Sequence, residues 1–205
     1  MNTSFYKVMA STLAAATLLS GCAPLVMGGA VMTGMVAVDR RTSGIQLEDE
    51  GIELRTAQGL RQNLSESAHI NVTSYNRHVL LTGEVATAAQ KELADKVAQS
   101  QENVKAVANE LSVQAASTLT QRSKDAIITG QIKALFVDAK DLQSHAFKVV
   151  TERGVVFLMG RVTSREAQRA TDIARSVSGV TKVVRVLEVI SEEELKRLSA
   201  QTSAK

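Results

Sequence analysis

Aromatic residues are scarce: four Phe, two Tyr and no Trp among 205 residues. That excludes a protein that reads nucleic acid by stacking bases on aromatic platforms. There is one cysteine, Cys22, so neither an intrachain disulfide framework nor a Cys-based zinc site can form. Three histidines, His69, His78 and His145, lie in separate segments without metal-ligand spacing, and structural or surface roles are expected of them. No Gly-rich phosphate loop or HExxH motif is present. Asp138 and Asp141 lie near His145, but no Ser, Cys or Lys is arranged beside them as a nucleophile. No enzyme activity, metal or cofactor is expected. The chain is otherwise globular in composition, with 44% hydrophobic and 22% charged residues. A pI near 9.1 hints at nucleic acid, but the net charge is only +3 and the N-terminus reads as an export signal, so no nucleic-acid partner is expected.

What is present begins with an address. Residues 1–21 hold one Lys (Lys7), an apolar run from Val8 to Leu19, then Ser20 and Gly21. A positive start, a short apolar stretch and small residues describe an export signal, and the run is short for a membrane span. The string Leu19-Ser20-Gly21-Cys22 resembles the lipobox of bacterial lipoproteins. That resemblance implies cleavage before Cys22, which becomes the lipid-bearing first residue. Ala23 in the next position resembles the outer-membrane sorting pattern, and the implied location is the outer membrane, lipid-anchored and facing the periplasm. One acyl chain anchors only reversibly, whereas several anchor stably. Residues 23–38 carry no charge, contain the only Pro (Pro24) and are interrupted by Gly. They read as an apolar tether within residues 22–45. Asp39, Arg40 and Arg41 end the apolar stretch and are expected to open a polar linker.

The remainder is one unit written twice. Val72, Val79, Leu81, Gly83 and Val85 recur 77 positions later as Val149, Val156, Leu158, Gly160 and Val162. Further on the offset is 76: Val104, Val107, Leu111 and Val113 meet Val180, Val183, Leu187 and Val189. Each unit reads helix, two strands, helix, strand. The first helices are expected at about 49–66 and 124–139, with Ile128, Ile132, Leu135 and Phe136 as the core stripe of the second. The hairpins are expected at 69–75 with 78–85 and 146–151 with 155–162, turning at Asn76 and at Arg153-Gly154. Second helices at 87–101 and 164–177 follow, then strands at 104–113 and 180–190. Val155, Phe157 and Met159 point to one face of their strand and Val156 and Leu158 to the other. Both faces are apolar, so the two units are expected to pack on each other, joined by a linker near Ala115–Gln121.

This order, this repeat length and the pattern Val-x-Leu-x-Gly-x-Val resemble the BON domain. The implied fold is α+β: two tandem αββαβ domains at 46–114 and 122–190, each a three-stranded mixed sheet with two helices, followed by a tail at 191–205 with a helical start. A lipobox followed by two such units is similar to the dual-BON outer-membrane lipoproteins. That resemblance implies binding of anionic phospholipid such as phosphatidylglycerol or cardiolipin, support of envelope integrity, and envelope or division-site protein partners.

Charge indicates where a lipid surface would dock. Residues 46–116 carry a balance of −4, residues 120–190 one of +5. At 100° per residue, Ile127, Gly130, Ala134 and Val137 form a second apolar stripe on the far side of the first helix of the second unit, flanked by Lys124, Lys133 and Lys140. An apolar strip edged by lysines suits shallow insertion among anionic headgroups. The competing reading of the strip is that Ile127 and Val137 pack on the partner unit, and the competing function is a periplasmic protein-interaction scaffold that meets an envelope enzyme or regulator.

Overall fold

The computed structural model describes residues 39–65 and 68–203. The export signal, Cys22 and the apolar tether lie outside the described residues. Module 1 runs α1 (Ser43–Asn63), β1 (His69–Tyr75), β2 (His78–Val85), α2 (Ala88–Gln99), β3 (Ala106–Asn109) and β4 (Ser112–Val113). Module 2 repeats the order as α3 (Leu119–Asp138), β5 (Phe147–Glu152), β6 (Val155–Thr163), α4 (Ser164–Ser176) and β7 (Lys182–Ile190), followed by α5 (Glu192–Ser203). In each module the central strand pairs antiparallel with its hairpin partner and parallel with the last strand. The last strand of module 1 is broken into β3 and β4, both parallel to β2, whereas β7 is continuous.

Both hairpins turn where the sequence indicates. Asn76, Arg77, Arg153 and Gly154 all have positive φ, the conformation a two-residue hairpin of this hand requires. The glycine shared by the two motifs has a packing reason. A Cβ on Gly83 would lie 2.1 Å from the His69 carbonyl oxygen, and one on Gly160 would lie 2.4 Å from that of Ala146. The backbone of the neighbouring chain segment occupies the space a side chain would need.

The first helices begin earlier than the apolar periodicity indicates. Thr42 and Thr118 cap them, each hydroxyl accepting from the amide three residues on. The linker between modules is therefore shorter than the sequence reading has it, since α3 already starts at Leu119. A second correction concerns Leu135, expected in the core stripe of α3. It is 40% exposed, while Asp125, Ile128, Ile132 and Phe136 are the buried residues of that helix.

Each module has its own core between helices and sheet. Ile52, Leu60, Val79, Leu81, Ala94 and Leu111 build the first, and Ile132, Phe136, Val156, Leu158, Ala170 and Ala174 the second. A third cluster joins them. Tyr75 and Leu80 of module 1 pack with Phe157 and Met159 of module 2, with Val150, Val184 and Val186 at its margin. Leu80 and Phe157 are 77 positions apart, so equivalent strand positions of the repeat meet at this junction. The sheet faces turned away from the helices cover each other, which removes the apolar face the sequence pattern predicts.

Polar contacts frame this junction. Lys148 donates to Glu53 Oε1 (2.7 Å) and to the Ser74 carbonyl, Arg153 Nε to Glu84 Oε1 (2.5 Å), and Asn76 to Glu188 (2.5 Å). The residues expected to open a polar linker are instead fixed in place. Arg40 is 9% exposed and donates to both Glu166 oxygens at 2.6 and 2.8 Å and to the Arg161 carbonyl of module 2. Arg41 donates to Asp49 of module 1 at 2.7 Å and lies 4.2 Å over the Tyr75 ring. Two adjacent residues thus grip one module each.

Candidate lipid-facing surface

Helix α3 presents its outer side to solvent because its inner side is fully committed. Ile128, Ile132 and Phe136 fill the module core, and Asp125 accepts from the amides of Arg153 and Gly154 at the hairpin turn (2.9 and 2.8 Å). These four side chains fix the rotation of the helix about its axis. On the far side Ile127 is 60% and Val137 67% exposed. Gly130 and Ala134 are exposed between them, and a Cβ on Gly130 would meet nothing within 4 Å. The four positions span an arc of about 80° at 100° per residue.

Lys124 and Lys133 are exposed on opposite margins of this strip. Lys140 is exposed in the turn beyond the end of the helix. The structure therefore brings Lys124, Ile127, Gly130, Lys133, Ala134 and Val137 together on one helix and leaves Lys140 just past it. Ser123 is the polar residue of the helix that falls within this arc, and Thr120 and Asp138 lie 20° beyond its Ile127 edge. Cys22 lies outside the described residues.

The sequence reading misses Leu119, which is 79% exposed. It lies on the same angular line as Val137 and extends the strip by two turns, giving it a length of about 27 Å at 1.5 Å per residue. The available signal was Thr118-x-x-Gln121, a Ser/Thr-x-x-Gln helix start one turn and a half before the expected one. Module 1 has no matching cationic strip. Leu47 and Leu54 are 70% exposed on α1, but at 100° per residue the charged side chains beside them are Glu50 and Arg61, one of each sign, rather than a set of lysines.

A groove of about 290 Å³ runs beside the strip and is lined by Asp39, Arg41, Tyr75, Lys133, Val137, His145 and Lys148, among others. Asp39 is the first described residue.

Carboxylates elsewhere are held by local partners. Burial would raise the Asp49 carboxyl, but the Arg77 amide, the Ser74 hydroxyl, Arg41 and the Asn76 amide outweigh it and hold it below the usual range. Burial likewise opposes Glu84, and Arg153, the Ser117 amide and His69 together lower it. Glu152 goes the other way, raised by its own burial and then by the charge of Glu84.

The BON domain profile matches residues 48–115 and 124–191. The chain belongs to the BON family. It is 37% identical to the outer membrane lipoprotein DolP of Haemophilus influenzae over 193 residues, covering 93% of this chain and all of that one. It is also 37% identical to a 21 kDa hemolysin of Actinobacillus pleuropneumoniae over 155 residues, 75% of this chain and 80% of that one. A solved structure of CdsD, a structural protein of the type III secretion system of Chlamydia trachomatis, matches at 12% identity with a TM-score of 0.30, covering 75% of this chain and 97% of that one. As a BON protein the chain has the α+β fold expected of two tandem copies, and each copy carries a buried Asp, Asp49 or Asp125, that ties the first helix to the hairpin turn. Among the described residues no helix is long and apolar enough to cross a membrane.

Proposed function

We propose that this chain is a non-enzymatic outer-membrane lipoprotein, anchored through Cys22 on the periplasmic side, whose second BON module docks on anionic phospholipid through α3 and so supports envelope integrity. The observation that carries the reading is the solvent-facing strip of Ile127, Gly130, Ala134 and Val137 between Lys124 and Lys133. Residues exposed to this degree on a helix whose other face is buried have no partner among the described residues to cover them. Lysines at the margins add about 1 kcal/mol each near an anionic surface. Likeness to an outer membrane lipoprotein over nearly the whole chain supports the anchor and the compartment. Envelope and division-site proteins are the further partners of this reading.

The test is flotation of residues 39–205 on vesicles of neutral or phosphatidylglycerol-containing lipid. Binding is expected only to the anionic vesicles and weakens as salt is raised. Ile127→Asp and Val137→Asp each reduce it at least about tenfold, since a charge then enters the apolar boundary. Binding indifferent to lipid charge and to both substitutions would favour the protein-scaffold reading.

A further inference from the structure

At the opposite end of the module junction lies an open cavity of about 450 Å³, lined from module 1 by His69 and Asn71 and from module 2 by residues including Arg122, Val149, Val150 and Glu152. One ligand atom each of His69, Glu84 and Glu152 lies within 4.8 Å of the others. His69 Nδ1 is 2.9 Å from Glu84 Oε2. Glu84 is 1% exposed and its Oε1 is engaged by Arg153, while the amide and hydroxyl of Ser117 fix Oε2. Glu152 is oriented by the neutral Asn71 amide, which donates to its Oε2 at 3.1 Å. A second observation comes from Thr82. It pairs with Asn71 in the strand register and stands two residues before Glu84, so it points to the same side of the sheet as Glu84 and His69. Thr82 is 1% exposed, and its hydroxyl has no hydrogen-bond partner among the described residues.

We propose that His69, Glu84 and Glu152 form a binding site for a divalent transition-metal ion of the Zn²⁺ type that ties the two BON modules together. The donor set is one imidazole nitrogen and two carboxylates, which suits zinc better than calcium or magnesium, whose ligands are oxygens alone. Tetrahedral zinc with bonds of about 2.0–2.2 Å places its ligand atoms about 3.3 Å apart. The observed spread closes to that by rotation of the Glu152 side chain, which is half-buried and held by one amide. The ion replaces the hydrogen between His69 Nδ1 and Glu84 Oε2, and the imidazole then carries its proton on Nε2. Ser117, Arg153 and Asn71 orient the carboxylates, as outer partners do in metal sites. Spacing along the chain could not reveal this site, because its ligands come from both copies of the repeat. The site is independent of lipid docking.

The experiment is calorimetric titration of the detergent-solubilised full chain with ZnCl₂, MgCl₂ and CaCl₂, with thermal unfolding in parallel. One Zn²⁺ per chain and a raised Tm are expected, with weaker uptake of Mg²⁺ and Ca²⁺. His69→Gln and Glu152→Gln each lower zinc affinity by about tenfold or more. Glu152→Gln is the deciding variant, since removing a charge that faces Glu84 leaves the metal-free Tm unchanged or higher and so shows that folding is intact. No saturable zinc uptake, uptake unchanged by Glu152→Gln, or equal affinity for Mg²⁺ or Ca²⁺ would each overturn the proposal.

Discussion

Arg40→Ala is expected to lower the unfolding free energy by about 3–5 kcal/mol, the usual cost of leaving a buried carboxylate without its partner. For a body of this size that corresponds to a Tm drop on the order of 10 °C. Glu166, at 3% exposure, does two jobs. It completes the cap of α4, where Thr163 N donates to Oε2 at 2.9 Å, and it receives the Arg40 guanidinium. In the variant the cap survives, but its charge loses the only guanidinium that touches it among the described residues. Removing both charges as Arg40→Leu/Glu166→Leu should restore much of the loss, apart from about 1 kcal/mol for the cap. Urea unfolding of the wild type, the single and the double variant measures this. A single variant within about 0.5 kcal/mol of wild type would mean that Arg40 does not clamp module 2.

Asp49→Ala should have an effect of similar size. Its two oxygens accept from the Ser74 hydroxyl, the Asn76 and Arg77 amides and Arg41, all at 2.7–2.8 Å. Alanine leaves the hairpin turn without acceptors and Arg41 with Asp39 alone as its carboxylate partner. About 3–5 kcal/mol is expected from this set of charge-assisted bonds.

The same carboxylates set the acid response. Asp49, Glu84 and Glu166 all titrate below their ordinary values in the folded state. Their unfolded forms take up protons first as pH falls, so the stabilisation is complete above the ordinary carboxylate range and is lost as pH drops through it toward the folded values. Glu152 contributes with the opposite sign, since its folded value is raised and its contribution fades as pH rises through it. Urea midpoints between pH 3 and pH 7 should therefore rise with pH, and Asp49→Ala should flatten that rise.

Arg40 marks the limit of what the sequence makes legible. The repeat, the hairpin turns and the motif glycines were legible because they depend on local pattern: alternation, positive φ, and a Gly where a carbonyl sits 2.1 or 2.4 Å from the missing Cβ. The covered sheet face was legible too, since Val155, Phe157 and Met159 are apolar on the side that a single module would leave wet. Arg40 was not. Its partner Glu166 is 126 positions away, and a pair of arginines after an apolar stretch reads as solvated unless that contact is known. Leu135 was misplaced because it sits on the shoulder of the helix, close in angle to Ile128, where a small rotation decides burial. Leu119 was missed because a helix cap precedes the apolar period by more than a turn.

A depth measurement on vesicles reads whether the outer face of α3 meets the membrane. Residues 39–205 contain no cysteine, so a nitroxide can be placed on a single introduced Cys at Ile127, Ala134 or Leu54. On phosphatidylglycerol vesicles, labels at Ile127 and Ala134 should gain contact with oxygen and lose contact with a water-soluble nickel chelate, while the label at Leu54 on α1 stays in water. If all three labels remain equally open to the chelate on vesicles that carry bound protein, or if Leu54 is the one that becomes shielded, α3 is not the surface that meets the membrane.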